Sequence, residues 1–475
     1  MIAALKPYPV MKDSGLPWLG TIPASWSIVR NGRLFVERKE TGFADLPILE
    51  VSLRSGVRVR RFDGDSRKQL MSDRDKYKRA CAGDLAYNMM RMWQGAVGLA
   101  PVDGLVSPAY VVARPFAGVV ARYFAYLFRM DSYMGEVDQY SRGIVKDRNR
   151  LYWDQFKQMP SACPPTGEQA AVARFLGHVE RQIGRAIRAK QKLIKLLEEQ
   201  KQAIIHRAFT RGLDPNVRLK PSGVAWLGDV PDHWEVVRFK RRIGFQEGPG
   251  IMATDFRDDG VPLLRISSLR GETASLEGCN FLDAQMVQRR WSHFAVRPGD
   301  YLLSASASTG SVVRATEVVA NAIPYTGILR LWSLSDDTFM PFVRLYMGCQ
   351  PFQDQIDAAK SGVAIEHFGP THLKRMFMAL PSAGEQRRIV SAVQASIAPF
   401  AGGADRAKRE IDLIREYRTR LIGDVVTGKL DVREAAARLP DEAEEVEAFV
   451  DTAAVDTDEP VDDVDGDAVP EHDEA

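Results

Sequence analysis

From residue 14 the chain reads Ser14-Gly-Leu-Pro-Trp18-Leu-Gly20-Thr-Ile-Pro23-Ala-Ser-Trp26. Nearly the same residues return as Ser222-Gly-Val-Ala-Trp226-Leu-Gly228-Asp-Val-Pro231-Asp-His-Trp234, and this repetition determines the fold. The two stretches hold two tryptophans, a proline and two glycines in register at an offset of 208 residues. A match of this kind marks an internal repeat, and an internal repeat determines the architecture of the whole chain.

Further matches between the two halves extend this repeat in the same order along the chain. The sequence therefore predicts two copies of one unit of roughly 210 residues within the 475-residue chain. The matching pairs are Pro47-Ile-Leu-Glu-Val-Ser52 with Pro262-Leu-Leu-Arg-Ile-Ser267, Gly83-Asp84 with Gly299-Asp300, Gly167-Glu-Gln169 with Gly384-Glu-Gln386, and Leu213-Asp214 with Leu430-Asp431.

Each copy divides into a globular module followed by a long helix. Short apolar runs such as Ala109–Val112 and Gly327–Trp332 alternate with Gly, Pro, Asp and Ser breaks, which predicts compact α/β or β-rich modules. The expected fold class is α/β (α+β), with two tandem modules separated by two long helices. The predicted segments are a first module at 1–163, a central helix at 164–213, a second module at 214–380, a distal helix at 381–430 and an acidic disordered tail at 431–475.

The central helix is predicted from a capping box and a regular apolar stripe. Thr166 is expected as the N-cap, with the Gln169 side chain reaching back to its backbone. A helix of about 43 residues would span about 65 Å, which is longer than one module can cover, so the stripe needs a partner helix. The stripe includes Ile183, Ile187, Ile194, Leu197 and Ile204.

The distal helix repeats this pattern, with a second capping box at Ser382-Ala-Gly-Glu385. Pro399 and Gly402-Gly403 are expected to kink or break it. The two helices are predicted to pack as an antiparallel, coiled-coil-like pair that holds the modules apart; the alternative is that each helix is buried within its own module. The apolar residues of the distal helix include Ile411, Ile414 and Leu421.

The net charge of +2 hides a strong asymmetry along the chain. Sixteen of the 62 acidic residues follow Pro440, where Lys and Arg are absent, so the preceding chain carries 64 basic against 46 acidic side chains. A body with a formal charge of +18 predicts a polyanionic partner such as nucleic acid. The acidic tail is expected to be disordered and is interpreted either as a solubilising segment or as an internal DNA mimic.

Several protein classes are disfavoured by the sequence. No apolar run reaches the ~18 residues of a membrane span and no signal peptide is recognisable, so a cytoplasmic protein is expected. The four cysteines form no Cys-x-x-Cys pair, which argues against a metal site or a disulfide framework. Neither the Asn/Asp-Pro-Pro-Tyr/Phe motif of adenine methyltransferases nor the Gly-x-x-x-x-Gly-Lys-Ser/Thr loop of ATPases occurs. The chain is expected to be non-catalytic and to bind no cofactor or metal of its own.

Basic side chains set among glycines, serines and aromatic residues are the candidates for contact with DNA. Lys and Arg supply affinity by contacting phosphates, and Arg is the most frequent bidentate partner of guanine. In the first module the candidates are Arg54, Arg58, Arg60, Arg61, Arg67, Lys68, Arg142, Lys146 and Arg148. In the second module they are Arg265, Arg270, Arg289, Arg290 and Lys360.

The repeated tryptophans admit two interpretations. Trp18, Trp26, Trp226 and Trp234 either stack on bases or form an aromatic–proline clasp that fixes the start of each module against the helices. The clasp is preferred, because identical stacking in both modules would not distinguish two different DNA sequences.

Together these features resemble the specificity subunits of type I restriction–modification enzymes. The repeated tryptophan motif is similar to the start of that family's recognition modules, and the resemblance covers roughly residues 14–432. Pro164-Pro-Thr-Gly-Glu-Gln169 and Pro381-Ser-Ala-Gly-Glu-Gln386 are similar to the start of its helices. Ser107-Pro-Ala-Tyr110 and Trp153-Asp-Gln-Phe156 are also typical of it.

The resemblance implies a non-catalytic subunit with two target-recognition domains, each reading half of an asymmetric, split site in double-stranded DNA. It implies that the two helices, which carry the apolar residues named above, dock two modification subunits. The expected docking surface is the exposed flank of Ile183–Ile205 with the region Asp405–Arg420. The modification subunits would use S-adenosylmethionine to methylate adenine N6. Two restriction subunits would add nuclease activity that depends on ATP and Mg. The alternatives are a stand-alone DNA-binding regulator or architectural protein, and a methyltransferase or nuclease with a divergent active site.

Overall fold

The computed structural model describes residues 5–60, 74–142, 149–305, 312–360 and 369–440, with the backbone alone at 359–360. Within these residues a first module, a long helix, a second module and another long helix follow one another, and a short helix comes last. The mixed α and β fold class predicted from the sequence is confirmed. The predicted acidic tail lies outside the described residues from position 441 onward.

Where the structure describes it, the first module is built from short strands and three α-helices before the first long helix begins. Its strands are β1 (Met11–Asp13), β2 (Thr21–Pro23), β3 (Ser27–Arg30), β4 (Phe35–Arg38), β5 (Leu49–Ser52), β6 (Gly56–Val59), β7 (Lys78–Ala80), β8 (Leu85–Asn88), β9 (Val97–Leu99), β10 (Gly104–Val106), β11 (Tyr110–Pro115) and β12 (Pro160–Cys163). Its helices are α1 (Ala121–Phe128), α2 (Asp131–Tyr140) and α3 (Trp153–Phe156), and the long helix α4 (Thr166–Arg211) follows.

The second module has a comparable set of elements. Its strands are β13 (Leu219–Pro221), β14 (Asp229–Pro231), β15 (Glu235–Arg238), β16 (Ile243–Glu247), β17 (Phe256–Arg257), β18 (Val261–Leu264), β19 (Asn280–Leu282), β20 (Tyr301–Ser304), β21 (Val312–Arg314), β22 (Ile323–Pro324), β23 (Ile328–Ser333) and β24 (Phe377–Leu380). Its helices are α5 (Ala284–Met286), α6 (Met340–Met347), α7 (Gln350–Lys360) and α8 (Pro370–Leu373), followed by the long helix α9 (Ala383–Val426) and the short α10 (Arg433–Ala437).

Both modules contain one antiparallel four-stranded sheet with the same strand order. That order is β4-β11-β8-β9 in the first module and β16-β23-β20-β21 in the second. The interior strands β11 and β23 coincide with the two apolar runs noted in the sequence, and most of their side chains are buried. In both modules the strand that follows the tryptophan motif pairs with the strand that precedes the long helix, β3 with β12 and β15 with β24. The internal duplication is therefore confirmed in the fold.

The modules differ in what accompanies this common sheet. The first has a two-stranded β5–β6 hairpin and a separate β7–β10 pair, whereas the second has a mixed four-stranded sheet in the order β17-β19-β18-β22. Within that mixed sheet β18 and β22 run parallel, with Leu263 opposite Ile323. In the first module the corresponding parallel pairing is an isolated bridge between Ile48 and Leu105.

The chain forms two compact units, each of which combines one module with parts of both long helices. The first consists of residues 1–192 together with the chain from Ala407 onward, and the second consists of residues 193–406. In the second unit, Phe209 near the end of α4 and Ile389 near the start of α9 join the same apolar core as the module. Each module is therefore packed onto the start of one long helix and the end of the other.

The two long helices pack against each other in antiparallel fashion, as the sequence predicted. In the first unit Glu180 of α4 pairs with Arg418 of α9, and the later Lys190 pairs with the earlier Glu410. The residue number rises from Glu180 to Lys190 along α4, whereas it falls from Arg418 to Glu410 for their partners on α9. The two helices therefore run in opposite directions. The alternative, in which each helix is buried within its own module, is wrong.

The predicted break at Pro399 does not occur, because α9 is helical without interruption from Ala383 to Val426. Pro399 is exposed, so the carbonyl group that loses its helical donor can be solvated. Gly403 has a different role: a Cβ there would lie 3.3 Å from Leu197 Cδ1 of α4. The absence of a side chain at Gly403 allows the two helices to approach closely.

A buried tryptophan–glutamate hydrogen bond fixes each module to the start of a long helix. Trp26 donates its Nε1–H to Glu168 Oε2 at 2.7 Å, and Trp234 donates to Glu385 Oε1 at 3.1 Å. Both indoles are 1% exposed, so the clasp interpretation is confirmed for these two tryptophans. Trp18 packs edge-on against Tyr133.

Trp226 does not form part of a clasp, because 46% of it is exposed. It occupies the position in the second copy that Trp18 occupies in the first. The clasp interpretation is therefore wrong for this tryptophan, although the surrounding motif is repeated.

The capping boxes are only partly as predicted. Thr166 is already the first helical residue, and its hydroxyl donates to the Gly118 carbonyl instead of capping α4. Gln169 donates to the Pro164 carbonyl and accepts from the Val120 backbone N–H, which ties α1 to α4. The predicted reciprocal bond between Thr166 and Gln169 is therefore wrong.

At the second helix, Ser382 Oγ does accept from the Glu385 backbone N–H at 3.4 Å, as a cap should. The Glu385 side chain, however, turns to Trp234 and to His233 Nε2, which lies 2.9 Å from it. Gln386 repeats the role of Gln169, because its Oε1 accepts from the Phe339 backbone N–H before α6. The second box is thus half correct.

Candidate nucleic-acid interface

Three of the predicted DNA-contacting arginines in the first module lie on or next to the β5–β6 hairpin. Arg54 is exposed at its turn, and Arg58 on β6 pairs across the hairpin with Glu50 on β5. Arg60 follows β6 and is held by its backbone N–H, which donates to the Ile48 carbonyl at 2.9 Å. The hairpin thus groups three basic side chains on one small element. Arg61, Arg67 and Lys68 lie outside the described residues.

A buried arginine that no sequence pattern indicated anchors this hairpin to the main sheet. Arg129, directly after α1, donates through Nη2 to the carbonyls of Leu53 and Arg54 at 2.7 Å each. Its Nη1 donates to the carbonyls of Gly95 and Val97 beside and on β9. Burial lowers the pKa of Arg129 to about 10, so the guanidinium remains charged at neutral pH. The turn that presents Arg54 is therefore fixed by a buried cation.

The second predicted cluster of the first module is described at one residue. Arg142 is exposed and forms a backbone bridge with Arg150, with N···O distances of 3.0 and 2.9 Å. Lys146 and Arg148 lie outside the described residues.

In the second module, Arg265 lies immediately after β18 with its guanidinium over an aromatic ring. Its Cζ atom is 4.3 Å from the ring centroid of Tyr325 and 5.7 Å from that of Phe256. A cation at such distances is attracted to the ring face, which favours this position of the side chain. Arg270, five residues further on, is exposed.

The remaining candidates of the second module lie elsewhere on it. Arg289 and Arg290 are exposed on the helical turn Val287–Trp291, and Arg290 lies 5.6 Å over the Trp291 ring. Lys360 is the last residue of α7, and its side chain is outside the described part of the molecule. The fourteen residues predicted to contact DNA stay predictions, although those described after β5 and β18 are grouped by the fold.

Those two groups occupy corresponding places in the two modules. Ile48 pairs with Leu105 in a parallel bridge, and Leu263 pairs with Ile323 in the same way. Ile48 therefore corresponds to Leu263, and Leu105 corresponds to Ile323. Two positions further along the chain, Glu50 of the first module therefore corresponds to Arg265 of the second. The same place in the repeat carries opposite charges in its two copies.

The matched aspartates of the repeat are structural. Asp84 accepts from Arg38 Nε at 2.7 Å, and Asp300 accepts from Arg330 Nε at 2.5 Å. Each aspartate also caps a nearby backbone N–H, that of Cys81 or of Arg297. Because both carboxylates are buried and paired, these residues belong to the common framework and not to an exposed binding surface.

The helix residues predicted to dock other subunits face inward. Among them Ile183, Ile187, Ile411 and Leu421 are buried, and the other four are half-buried. They form the helix-pair interior that the sequence predicted, so a docked subunit would meet the outer faces. The remaining four are Ile194, Leu197, Ile204 and Ile414.

The outer faces do carry apolar side chains. On α9 in the first unit, Leu413 is 63% exposed and Tyr417, one turn later, is 48% exposed. On α4 in the second unit, Leu193 and Leu196 are also exposed. Large apolar residues at helical spacing on a surface are typical of a protein-binding face.

The described residues hold neither a metal-binding cluster nor a membrane-spanning helix. No group of three or more His, Cys, Asp or Glu residues there is positioned to hold a metal ion. None of the helices that the structure describes has the length and apolarity needed to cross a membrane.

Comparisons with known proteins give the architecture a context. No family model matches the chain. A solved chain from a study of complex assembly and conformational transition of the type I R-M system superposes with a TM-score of 0.64 at 16% identity, covering 86% of this chain and 99% of that one. The HsdS subunit from Thermoanaerobacter tengcongensis gives a TM-score of 0.45 at 18% identity. The fold is thus that of a chain from a type I R-M system.

A curated relative connects the sequence itself with this class. The type I restriction enzyme MjaVIII specificity subunit of Methanocaldococcus jannaschii is 21% identical over 282 residues, which is 58% of this chain and 64% of the relative. The chain thus matches less than two thirds of that relative's length. The resemblance drawn from the sequence is nevertheless confirmed, because the chain is similar in sequence to a curated type I restriction enzyme specificity subunit.

Proposed function

We propose that this chain is the non-catalytic, sequence-reading subunit of a type I restriction–modification complex. Each module binds one half of an asymmetric, split site in double-stranded DNA. The observation that carries the proposal is that the modules share one framework, with the same sheet order and the same clasps, yet carry different groups at corresponding surface positions. A duplicated framework with divergent surfaces suits a protein that reads two different sequences.

The charge distribution supports DNA as the partner of both modules. The chain before the acidic tail carries a formal charge of +18, and exposed arginines follow the corresponding strands β5 and β18. Phosphate contacts from such side chains would supply most of the affinity, and they would make binding fall steeply with salt. Base contacts by a few of them would supply the sequence preference.

The outer helix faces are proposed to recruit the catalytic subunits. Two modification subunits would dock on exposed apolar residues such as Leu413 and Tyr417 and bring S-adenosylmethionine for adenine-N6 methylation. Restriction subunits would add ATP and Mg to the assembled complex. This chain would contribute DNA recognition and the docking faces, and none of the reacting groups.

The test of DNA reading is a selection experiment on the complete chain. The chain, co-purified with its modification subunits, is used to select duplexes from a random library. We expect two short specified segments of different sequence, separated by unspecified base pairs. A single continuous or palindromic motif would contradict the proposal. An identical motif bound as tightly by the chain alone would favour the stand-alone regulator.

The docking faces are tested by co-purification. The double variant Leu413→Asp/Tyr417→Asp places charges on the outer face of α9 without changing the buried stripe, so it should lose the modification subunits. Leu334→Asp is the matched control, because Leu334 is a 54% exposed leucine on the second module. Equal recovery of modification subunits with both variants would show that this face of α9 is not the docking site.

A further inference from the structure

The repeated segment after the tryptophan motif differs in charge at one position. Residues 47–52 and 262–267 match as proline with proline, apolar with apolar and serine with serine, except where Glu50 corresponds to Arg265. Neither residue is buried, so neither is part of a core. The same place in two otherwise similar frameworks is therefore where the two surfaces diverge most clearly.

The aromatic partner of Arg265 is also specific to the second module. Because Leu105 corresponds to Ile323 in the parallel bridges, Tyr325 corresponds to Ser107, two residues further along. The first module thus has Glu50 and Ser107 where the second has Arg265 stacked on Tyr325 at 4.3 Å. The guanidinium and its ring are present together in one copy and missing together in the other.

The charges around the two positions are arranged differently. In the first module Glu50 is occupied by an ion pair with Arg58 across the hairpin. In the second, no carboxylate pairs with Arg265 among the residues that the structure describes. The ring contact restricts the motion of the guanidinium and leaves its N–H donors, which no described carboxylate occupies, available to a ligand. An oriented, unneutralised guanidinium is the group that best matches the O6 and N7 acceptors of guanine.

We propose that Arg265, held in place by Tyr325, reads a guanine in the half-site of the second module. This inference rests on the proposed function, because it requires that the second module binds DNA. At the corresponding place in the first module, the Glu50–Arg58 pair presents a different pattern of donors and acceptors. The two half-sites therefore differ at this position of the repeat.

The experiment is the library selection with the complete chain and its modification subunits, repeated for variants at Arg265. Arg265→Ala should lower the preference for guanine at one position of one half-site by roughly 5- to 150-fold and leave the other half-site unchanged. Arg265→Lys should lose most of the same preference, because a point charge cannot form the bidentate pair. Arg289→Ala is the control: this exposed arginine should affect all sequences alike, as a phosphate contact does.

Variants of the ring separate orientation from charge. Tyr325→Phe keeps the ring face and should keep the guanine preference, whereas Tyr325→Ser, which introduces the residue of the first module, should weaken it. Unchanged base preferences in Arg265→Ala, or a uniform loss of binding to every sequence, would overturn the inference while leaving the proposed function intact. A wild-type complex that selects no split motif would overturn both. Because Arg265 and Tyr325 are only half-buried, melting temperatures of the variants should match that of the wild type.

Discussion

Trp26 donates its indole N–H to Glu168, 142 residues further along the chain, at a distance of 2.7 Å. The second copy repeats this contact between Trp234 and Glu385. The contact joins the opening motif of each module to the Gly-Glu-Gln motif of the long helix that follows it. It explains physically why these two motifs are the most closely matched parts of the repeat.

Replacing Trp26 with Phe should destabilise the protein by about 2–3 kcal/mol, because it removes a donor to a buried, charged acceptor. Glu168 would retain Tyr8 and Arg433 as partners, so the clasp should weaken without loss of the fold. The free energy of unfolding is measured by urea denaturation. Trp226→Phe is the control, and its 46% exposed indole should tolerate the change within about 0.5 kcal/mol. Equal effects of both variants would show that the clasp does not stabilise the fold.

The glycines that end the two long helices should respond very differently to alanine. Gly428 has a φ of +73°, and a Cβ there would lie 2.3 Å from Pro23 Cδ and 3.1 Å from Trp26 Cη2. Gly212 has a similar φ of +69°, but its nearest neighbour would be Trp234 Cζ2 at 3.4 Å. Gly212→Ala should therefore cost about 1–2 kcal/mol for backbone strain alone. Gly428→Ala should cost at least about 3 kcal/mol, because a steric clash is added. Similar melting temperatures of the two variants would contradict this difference.

Arg129→Met should loosen the β5–β6 hairpin, because four backbone carbonyls lose their donor while an unbranched apolar side chain of similar width remains. Amide hydrogen exchange of residues 49–59 should accelerate more than that of β8 and β11. Under the proposed function, DNA affinity should fall without a change in the half-site read by the second module. Arg33→Met, at an exposed arginine, is the control and should leave both exchange and affinity unchanged. Unaltered exchange in the hairpin of Arg129→Met would refute the anchoring role.

Buried tyrosines predict a loss of stability in alkaline solution. Burial raises the pKa of Tyr87, Tyr123 and Tyr126 well above the ordinary value of 10.0. Below about pH 10 both the folded and the unfolded chain keep these phenols protonated, so stability is unaffected. Above it the unfolded chain ionises and the folded chain does not, so the free energy of unfolding falls as pH rises.

This prediction is measured as the slope of the unfolding free energy against pH. Tyr87→Phe should make the slope shallower by one proton. The Tyr87 hydroxyl has no hydrogen-bond partner among the described residues, so its removal leaves no other polar group unpaired. Tyr417→Phe is the control, because Tyr417 is 48% exposed and therefore lacks the burial that the three tyrosines share. A slope unchanged by Tyr87→Phe would mean that this phenol ionises in the folded protein.

The sequence predicted the architecture where both copies repeat a buried apolar pattern. The duplicated motifs predicted two modules, and the apolar stripe including Ile187 and Ile411 predicted an antiparallel helix pair, because periodicity directly reports which face is buried. Local rules failed where a side chain had a distant alternative. Gln169 was expected to cap its own helix, but the backbone N–H of Val120 was a better donor for it. Pro399 was expected to kink or break the distal helix, but α9 continues through it from Ala383 to Val426.

At the candidate site, too, the sequence pattern predicted which residues cluster but not which tertiary contacts they make. Arginines near glycines could be found as clusters, but ion pairing and stacking depend on neighbours that are distant in sequence. Arg58 is paired with Glu50, and Arg265 is stacked on Tyr325, 60 residues away. Arg129 gave no signal, because a single arginine after an apolar helix resembles an ordinary helix terminus. Its role depends on carbonyls from the hairpin and from the strand region around β9.

The claim that the two modules read DNA independently is tested most directly by adenine-methylation sequencing of cells that carry this chain and its modification subunit. The comparison is a hybrid chain in which residues 214–380 are replaced by the corresponding module of a specificity subunit with a different target. We expect a split, asymmetric methylated motif for the wild type. For the hybrid we expect a motif in which one half is replaced and the other half is kept. A motif that stays whole, or that changes in both halves at once, would contradict the claim that the two modules read DNA independently.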